Sequence, residues 1–270
     1  MENSKLSSDN NNGLNYQMCV LSAIAMLFVI LGHNKNDQLS LGTFYGWFPY
    51  YSFHLPLFLF ISGYFFRDLP EDKGFFVSFG KFAWKKIRSL IIPFYIVHGI
   101  FLLTNTFLRT QGFTYGTPFS LKEWLINPWT KYYSITYSVP TWYLIGIFLA
   151  EIYFILLRKL IRKLIRSELA AEITLLVLTL ALGVFCVYIK NTGHPSEAAG
   201  VYMRSVVMLF FMELGAVYKK YLEKLDHAQS LLYFLLVLLA QFLIIVCLGN
   251  NHLDPWLYEL SRFDTFGCNY

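Results

Sequence analysis

Apolar residues in this chain are gathered into long runs broken by shorter polar stretches. Seven runs come close to 20 residues with few charges, at 16–33, 48–66, 89–108, 139–157, 170–189, 201–218 and 230–248. A helix of about 20 apolar residues spans the hydrocarbon core of a bilayer. The pattern therefore predicts an all-α, polytopic membrane helical bundle with about seven transmembrane helices. Residues 1–15 are rich in Asn and Ser and are expected to form a disordered cytoplasmic tail. No basic segment or small-residue cleavage site frames the first apolar run, so it is taken as a retained helix. Residues 16–250 then form one transmembrane domain, with 251–270 as an external C-terminal segment. No internal repeat is evident.

Composition places the chain in the same class. It is 56% hydrophobic and 19% aromatic, and only 14% charged, against about a quarter charged in soluble domains. The net charge of +5 is explained by its distribution and calls for no nucleic-acid partner. Basic residues concentrate at 67–88, 158–166 and 219–224, which alternate with less basic connections. The positive-inside rule puts these segments and the N-terminal tail in the cytoplasm of an integral plasma-membrane protein. Trp47, Trp142, Tyr143 and Tyr202 then fall at the outer aromatic belt. Of the four cysteines, Cys19, Cys186 and Cys247 lie in apolar runs, where a thiol packs as a small hydrophobe; no disulfide is expected.

Ionisable groups inside these runs are costly and therefore candidates for chemistry. His33 closes the first run and His54 opens the second, so a helical hairpin can bring them together near the outer face. A neutral imidazole suits general-base activation of a hydroxyl; the competing role is a structural bond to a nearby carbonyl, favoured for His54. The pair is too small a ligand set for zinc. Ser22 lies eleven residues before His33 on the same helical face, where a hydroxyl ordinarily bonds backbone. His98, in the middle of the third run, is expected to make an interhelical bond. Glu151 and Glu213 must be neutral or paired, and a structural role is favoured for both. Arg204 is a possible partner or an acceptor-binding group, but it stands nine residues from Glu213, on roughly the opposite helix face. Lys81, Lys85, Lys86 and Arg88 are placed to grip phosphates or anionic lipid. Ser62-Gly63 is read as a close helix-packing site.

The series Val29-Ile-Leu-Gly-His33, Ser52-Phe-His54-Leu-Pro-Leu-Phe-Leu-Phe-Ile-Ser-Gly-Tyr64, Lys85-Lys-Ile-Arg88-Ser-Leu-Ile-Ile-Pro93 and Thr141-Trp-Tyr-Leu144 resembles membrane-bound acyltransferase family 3. Phe210-Phe-Met-Glu-Leu-Gly-Ala216 resembles a later, weaker segment of it. The resemblance implies O-acylation, usually O-acetylation, of a cell-surface polysaccharide or its lipid-linked precursor. The donor is cytosolic acyl-coenzyme A, with acetyl-CoA as substrate and no bound cofactor. It assigns catalysis to His33, with His54 as second candidate, and donor binding to Lys85 and Arg88. Arg204 and the 109–138 segment, with Tyr115, Trp124, Trp129 and Tyr133, are the expected acceptor-facing groups. Two departures stand out. The family commonly has Arg or Lys where this chain has Ser22, and members usually have about ten spans, so the chain is expected to be shortened at its C-terminal end. The rival readings are a transporter or flippase, and an inactive remnant of the family.

Overall fold

A computed structural model describes residues 15–33, 54–70, 74–113, 117–131, 141–193 and 195–226. Among these residues the chain is all-helical, with no strand. The expected seventh helix at 230–248, the 34–53 connection, Tyr115 and Tyr133 lie outside the described residues.

Helix α1 (Tyr16–His33) turns one narrow stripe inward. Met18 and Ala25 are buried, and Leu21, Ser22, Phe28 and Val29 are half-buried, while the intervening positions are exposed. That seven-residue spacing is the seam of a helix with one close partner among the described residues. The partner is α2 (His54–Tyr64), and the two run antiparallel. Asn15, just before α1, donates to the hydroxyl of Tyr64, the last residue of α2 (2.7 Å). Ser22 donates back to the carbonyl of Met18 (2.7 Å), the backbone bond expected of it.

Helix α3 (Phe75–Lys86) continues through a π-helical turn, Ile87–Ile91, into α4 (Ile92–Thr110). Pro93 explains the turn: it has no N–H for the carbonyl of residue 89, and its ring crowds that carbonyl. The chain widens there, and the Ile92 N–H bonds the carbonyl of Ile87, five residues back. The resulting rod, Phe75–Thr110, is 36 residues long, about 54 Å at helical rise. It therefore begins well before the expected boundary at residue 89. Two short helices, α5 (Leu121–Leu125) and α6 (Asn127–Thr130), fold back against α4. Ser120 caps α5 by accepting the Glu123 N–H (3.1 Å), the start of a Ser-x-x-Glu box.

Helices α7 (Trp142–Leu164), α8 (Glu168–Gly193) and α9 (Glu197–Val217) complete the core. A second π turn (Tyr218–Leu222) leads into α10 (Glu223–Asp226). The concentration of basic residues at 158–166 predicts a connection there, but α7 runs on to Leu164 and only 165–167 connect it to α8. The reason is periodicity: Ala150, Glu151, Phe154, Ile155, Arg158 and Ile161 all fall on one buried stripe.

Helix α9 is central, packing on α2, α7 and α8. Its contact with α2 is unusually close. A Cβ added at Gly63 would lie 1.8 Å from the Met212 carbonyl oxygen, and one at Gly215 2.0 Å from that of Phe60. Two reciprocal glycines thus let the backbones touch, as small residues do between membrane helices. Around this seam Leu59, Ala150, Phe154, Met208, Leu209 and Met212 form the main apolar core. Three helical rods among the described residues are long and apolar enough to cross a membrane: Phe75–Thr110, Glu168–Lys190 and Glu197–Leu222. Tyr16–Ile30 and Leu55–Tyr64 are shorter apolar helices. The charges on α7, from Glu151 to Lys163, set it apart from those three.

Candidate functional site

Ionisable side chains gather at the end of the bundle where α2 finishes and α8 begins. Arg158 on α7 is 4% exposed and reaches three carboxylates. Its guanidinium holds Glu172 of α8 through two nitrogens (2.9 and 3.0 Å), Glu213 of α9 at 2.6 Å and Asp68, just beyond α2, at 3.3 Å. Arg162, one turn further, bonds Asp68 and Glu172 (2.5 and 2.7 Å). Lys220 pairs with Glu168 and Glu172. Charges this deep persist only when paired and hydrogen-bonded, and Arg is suited to the task by its forked, planar donors. The faces of Phe154 and Phe66 cover the Arg158 guanidinium (5.3 and 5.9 Å to the ring centres).

A second buried ion pair lies further into the bundle. Glu151 of α7 accepts from Lys86 of α3 (2.6 Å) and from Ser62 of α2 (3.0 Å), both on the same oxygen. Lys86 is also within 5.5 Å of the Phe82 ring centre. The other Glu151 oxygen and the Tyr143 hydroxyl are buried without a hydrogen-bond partner among the described residues. These residues make a polar strip through an otherwise apolar interior, between α2, α3 and α7.

The residues singled out in the sequence are distributed around this frame. Both acids are paired, Glu151 with Lys86 and Glu213 with Arg158; Arg204 is not the partner of Glu213. Ser62-Gly63 packs helices as expected, and Ser62 adds the bond to Glu151. Lys85 and Arg88 are exposed, whereas Lys86 between them turns inward. Lys81, Lys85 and Arg88 follow helical spacing and share the outer face of the α3 rod. Arg204 is 3% exposed and lies over the Trp142 ring, 4.3 Å from its centre. These two line a small crevice with Pro128, Lys131, Ile145 and Val201. His33 and His54 stand at the ends of α1 and α2 remote from the Asn15–Tyr64 contact; their imidazole contacts lie outside what the structure describes. His98 is fully buried and donates from Nε2 to the Glu123 carbonyl (3.0 Å), so it anchors the short α5 and not another long helix. Trp124 and Trp129 join the same anchor through the Tyr95 carbonyl and hydroxyl (3.0 and 2.7 Å). Among the described residues no group of three or more His, Cys, Asp or Glu is placed to hold a metal ion.

Sequence reasoning missed the network around Arg158 and the inward turn of Lys86. Arg158 carried a usable signal, because it lies seven residues from Glu151, on the stripe that Ala150 and Phe154 define. For Lys86 the one-dimensional pattern offers no such mark, since Lys85, Lys86 and Arg88 read alike.

An acyltransferase-domain family model, that of acyltransferase family 3, matches residues 15–266. The chain belongs to this family and is an acyltransferase by domain. No curated protein and no solved structure matches it.

Proposed function

We propose that this protein transfers an acyl group, acetyl in the first instance, from cytosolic acyl-coenzyme A to a hydroxyl of a cell-surface polysaccharide or its lipid-linked precursor. The observation that carries the reading is the family match over 15–266, joined to a histidine at the end of α1 in Val-Ile-Leu-Gly-His33. His33 serves as the general base. Its neutral imidazole takes the proton of the acceptor hydroxyl as that oxygen attacks the thioester carbonyl. Collapse of the tetrahedral intermediate breaks the carbon–sulfur bond, and the imidazolium returns its proton to the departing thiolate. His54 is the second candidate for this proton transfer.

The basic end of the bundle faces the cytoplasm in this reading, by the positive-inside rule, and the N-terminus lies on that side. Lys85 and Arg88, exposed on the α3 rod, contact the donor phosphates. Arg204 and Trp142 lie at the acceptor side, where an aromatic face suits a sugar ring. The strip of Lys86, Glu151 and Ser62 supplies polar groups between the two sides, as transfer across a bilayer requires.

The test compares the O-acetyl content of surface carbohydrate in cells with the gene, without it, and with His33→Ala, membrane insertion being verified in each. Acetyl groups lost in both the deletion and the His33→Ala arm support the reading. Equal acetylation in all three arms refutes it for that carbohydrate.

A further inference from the structure

A cleft of about 400 Å³ opens between the segment after α2 and the last turns of α7, within the roughly 300–1,000 Å³ range of small-molecule sites. Phe66, Asp68, Phe75, Lys159, Arg162 and Lys163 line it. Its walls are fixed by side-chain contacts and by a turn. Arg158 and Arg162 hold Asp68, and Ser78 donates to the Pro70 carbonyl (3.2 Å). Gly74, at φ 71°, makes the turn into α3 in a conformation that other residues rarely adopt.

The cations here divide into two kinds. Arg158 and Arg162 are committed to Asp68, Glu172 and Glu213. Lys159 and Lys163 stand one turn apart on the same face of α7, both exposed. Neither has a carboxylate within ion-pair distance among the described residues, and the Lys159 ammonium lies 3.3 Å from the centre of the Phe75 ring. The cleft thus offers two ammonium groups to an anion beside two phenyl rings and the apolar side of Ile155. A planar base carrying phosphates satisfies both halves of this lining, the base against the apolar wall of Phe66, Phe75 and Ile155 and the phosphates against the ammonium groups. A lipid headgroup satisfies only the phosphate half.

We propose that this cleft is a site for a phosphorylated nucleoside. Resting on the donor reading above, it holds the adenosine end of acyl-coenzyme A. The contact of α3 with α7 leads from Phe75 and Lys159 to the Lys86–Glu151 pair, eight residues or about 12 Å along α7. A donor anchored at the cleft has its acyl arm directed along that contact into the bundle. Lys159 and Lys163, and not Lys85 and Arg88 alone, are then donor-binding residues.

The experiment uses the full chain in nanodiscs of neutral phosphatidylcholine, with the coenzyme A fragment adenosine bisphosphate as probe, read by calorimetry. Parallel arms carry Lys159→Glu/Lys163→Glu, Phe75→Leu and Lys85→Ala/Arg88→Ala, with elution profile and helical content checked for each. The proposal expects about tenfold or more weaker binding in the first variant, from two phosphate contacts turned repulsive, and a smaller loss in Phe75→Leu. Absence of binding to the unaltered protein, or binding insensitive to the cleft variants, overturns it. A cleft variant that changes only association with anionic phosphatidylglycerol vesicles identifies a lipid site and overturns it as well. Nucleotide binding that depends on the cleft, in a protein without acyl transfer to carbohydrate, upholds the cleft and removes the proposed reaction.

Discussion

Arg158 shows how much can depend on one side chain in an apolar bundle. It joins α7 to α8 and α9 and to the segment after α2. Replacing it with alanine leaves Glu172 and Glu213 buried with fewer partners, and removing one member of a buried ion pair costs roughly 3–5 kcal/mol. Arg158→Ala is therefore expected to lower the unfolding midpoint of the detergent-solubilised protein markedly. Arg158→Lys should recover only part of the loss, because an ammonium cannot span Glu172 bidentately while reaching Glu213. An Arg158→Lys variant as stable as the parent would show that charge, and not the fork, holds these helices. At this scale the sequence was half legible. That Glu151 and Glu213 need partners follows from the cost of burying a carboxylate, but the partners lie 65 and 55 residues away along the chain. Only packing brings them near.

At the scale of elements, the α2–α9 seam depends on absent side chains. Gly63→Leu and Gly215→Ala each place atoms where a carbonyl oxygen already lies, so both should disrupt assembly of α2 on α9. The expected readout is loss of a monodisperse peak in size-exclusion chromatography. Gly183 is the control, since a Cβ there meets its nearest atom at 3.8 Å, and Gly183→Ala should behave as the parent does. Monodisperse, thermally unchanged Gly63→Leu protein would contradict the close contact. The Ser-Gly pair was visible in the sequence as a packing site, and its reciprocal glycine on α9 was not singled out. Helix existence was legible from run length, and α1 ends where its pattern predicts. Boundaries beside basic residues were not legible. Lysines and arginines read as loop at 158–166 because charge masks periodicity, yet the stripe through Arg158 and Ile161 continues the helix. The start of the α3 rod was hidden for the same reason, since Lys81, Lys85 and Lys86 sit on an otherwise regular helix.

For the molecule as a whole, the orientation of the bundle has a direct test. Arg166 just precedes α8 and Thr192 lies in its last turn, both exposed. In a cysteine-free background, Thr192→Cys should react with an impermeant maleimide on intact cells. Arg166→Cys should react only after permeabilisation. The reverse pattern would invert the bundle and put the basic end outside, against the positive-inside rule. The helical class and the apolar runs were settled by local pattern, because a bilayer demands that every backbone hydrogen bond be satisfied and an apolar run of about 20 residues does so as a helix. Family membership was likewise visible in short motifs with side chains of fixed type and order, and the match over 15–266 bears it out. The arrangement of charge was different. Whether a lysine faces inward like Lys86 or outward like Lys85, and whether an arginine crosses to three carboxylates, depends on which helices touch and at what depth. Those contacts join residues far apart in the chain, and no local rhythm encodes them; they exist only once α2, α7, α8 and α9 have packed.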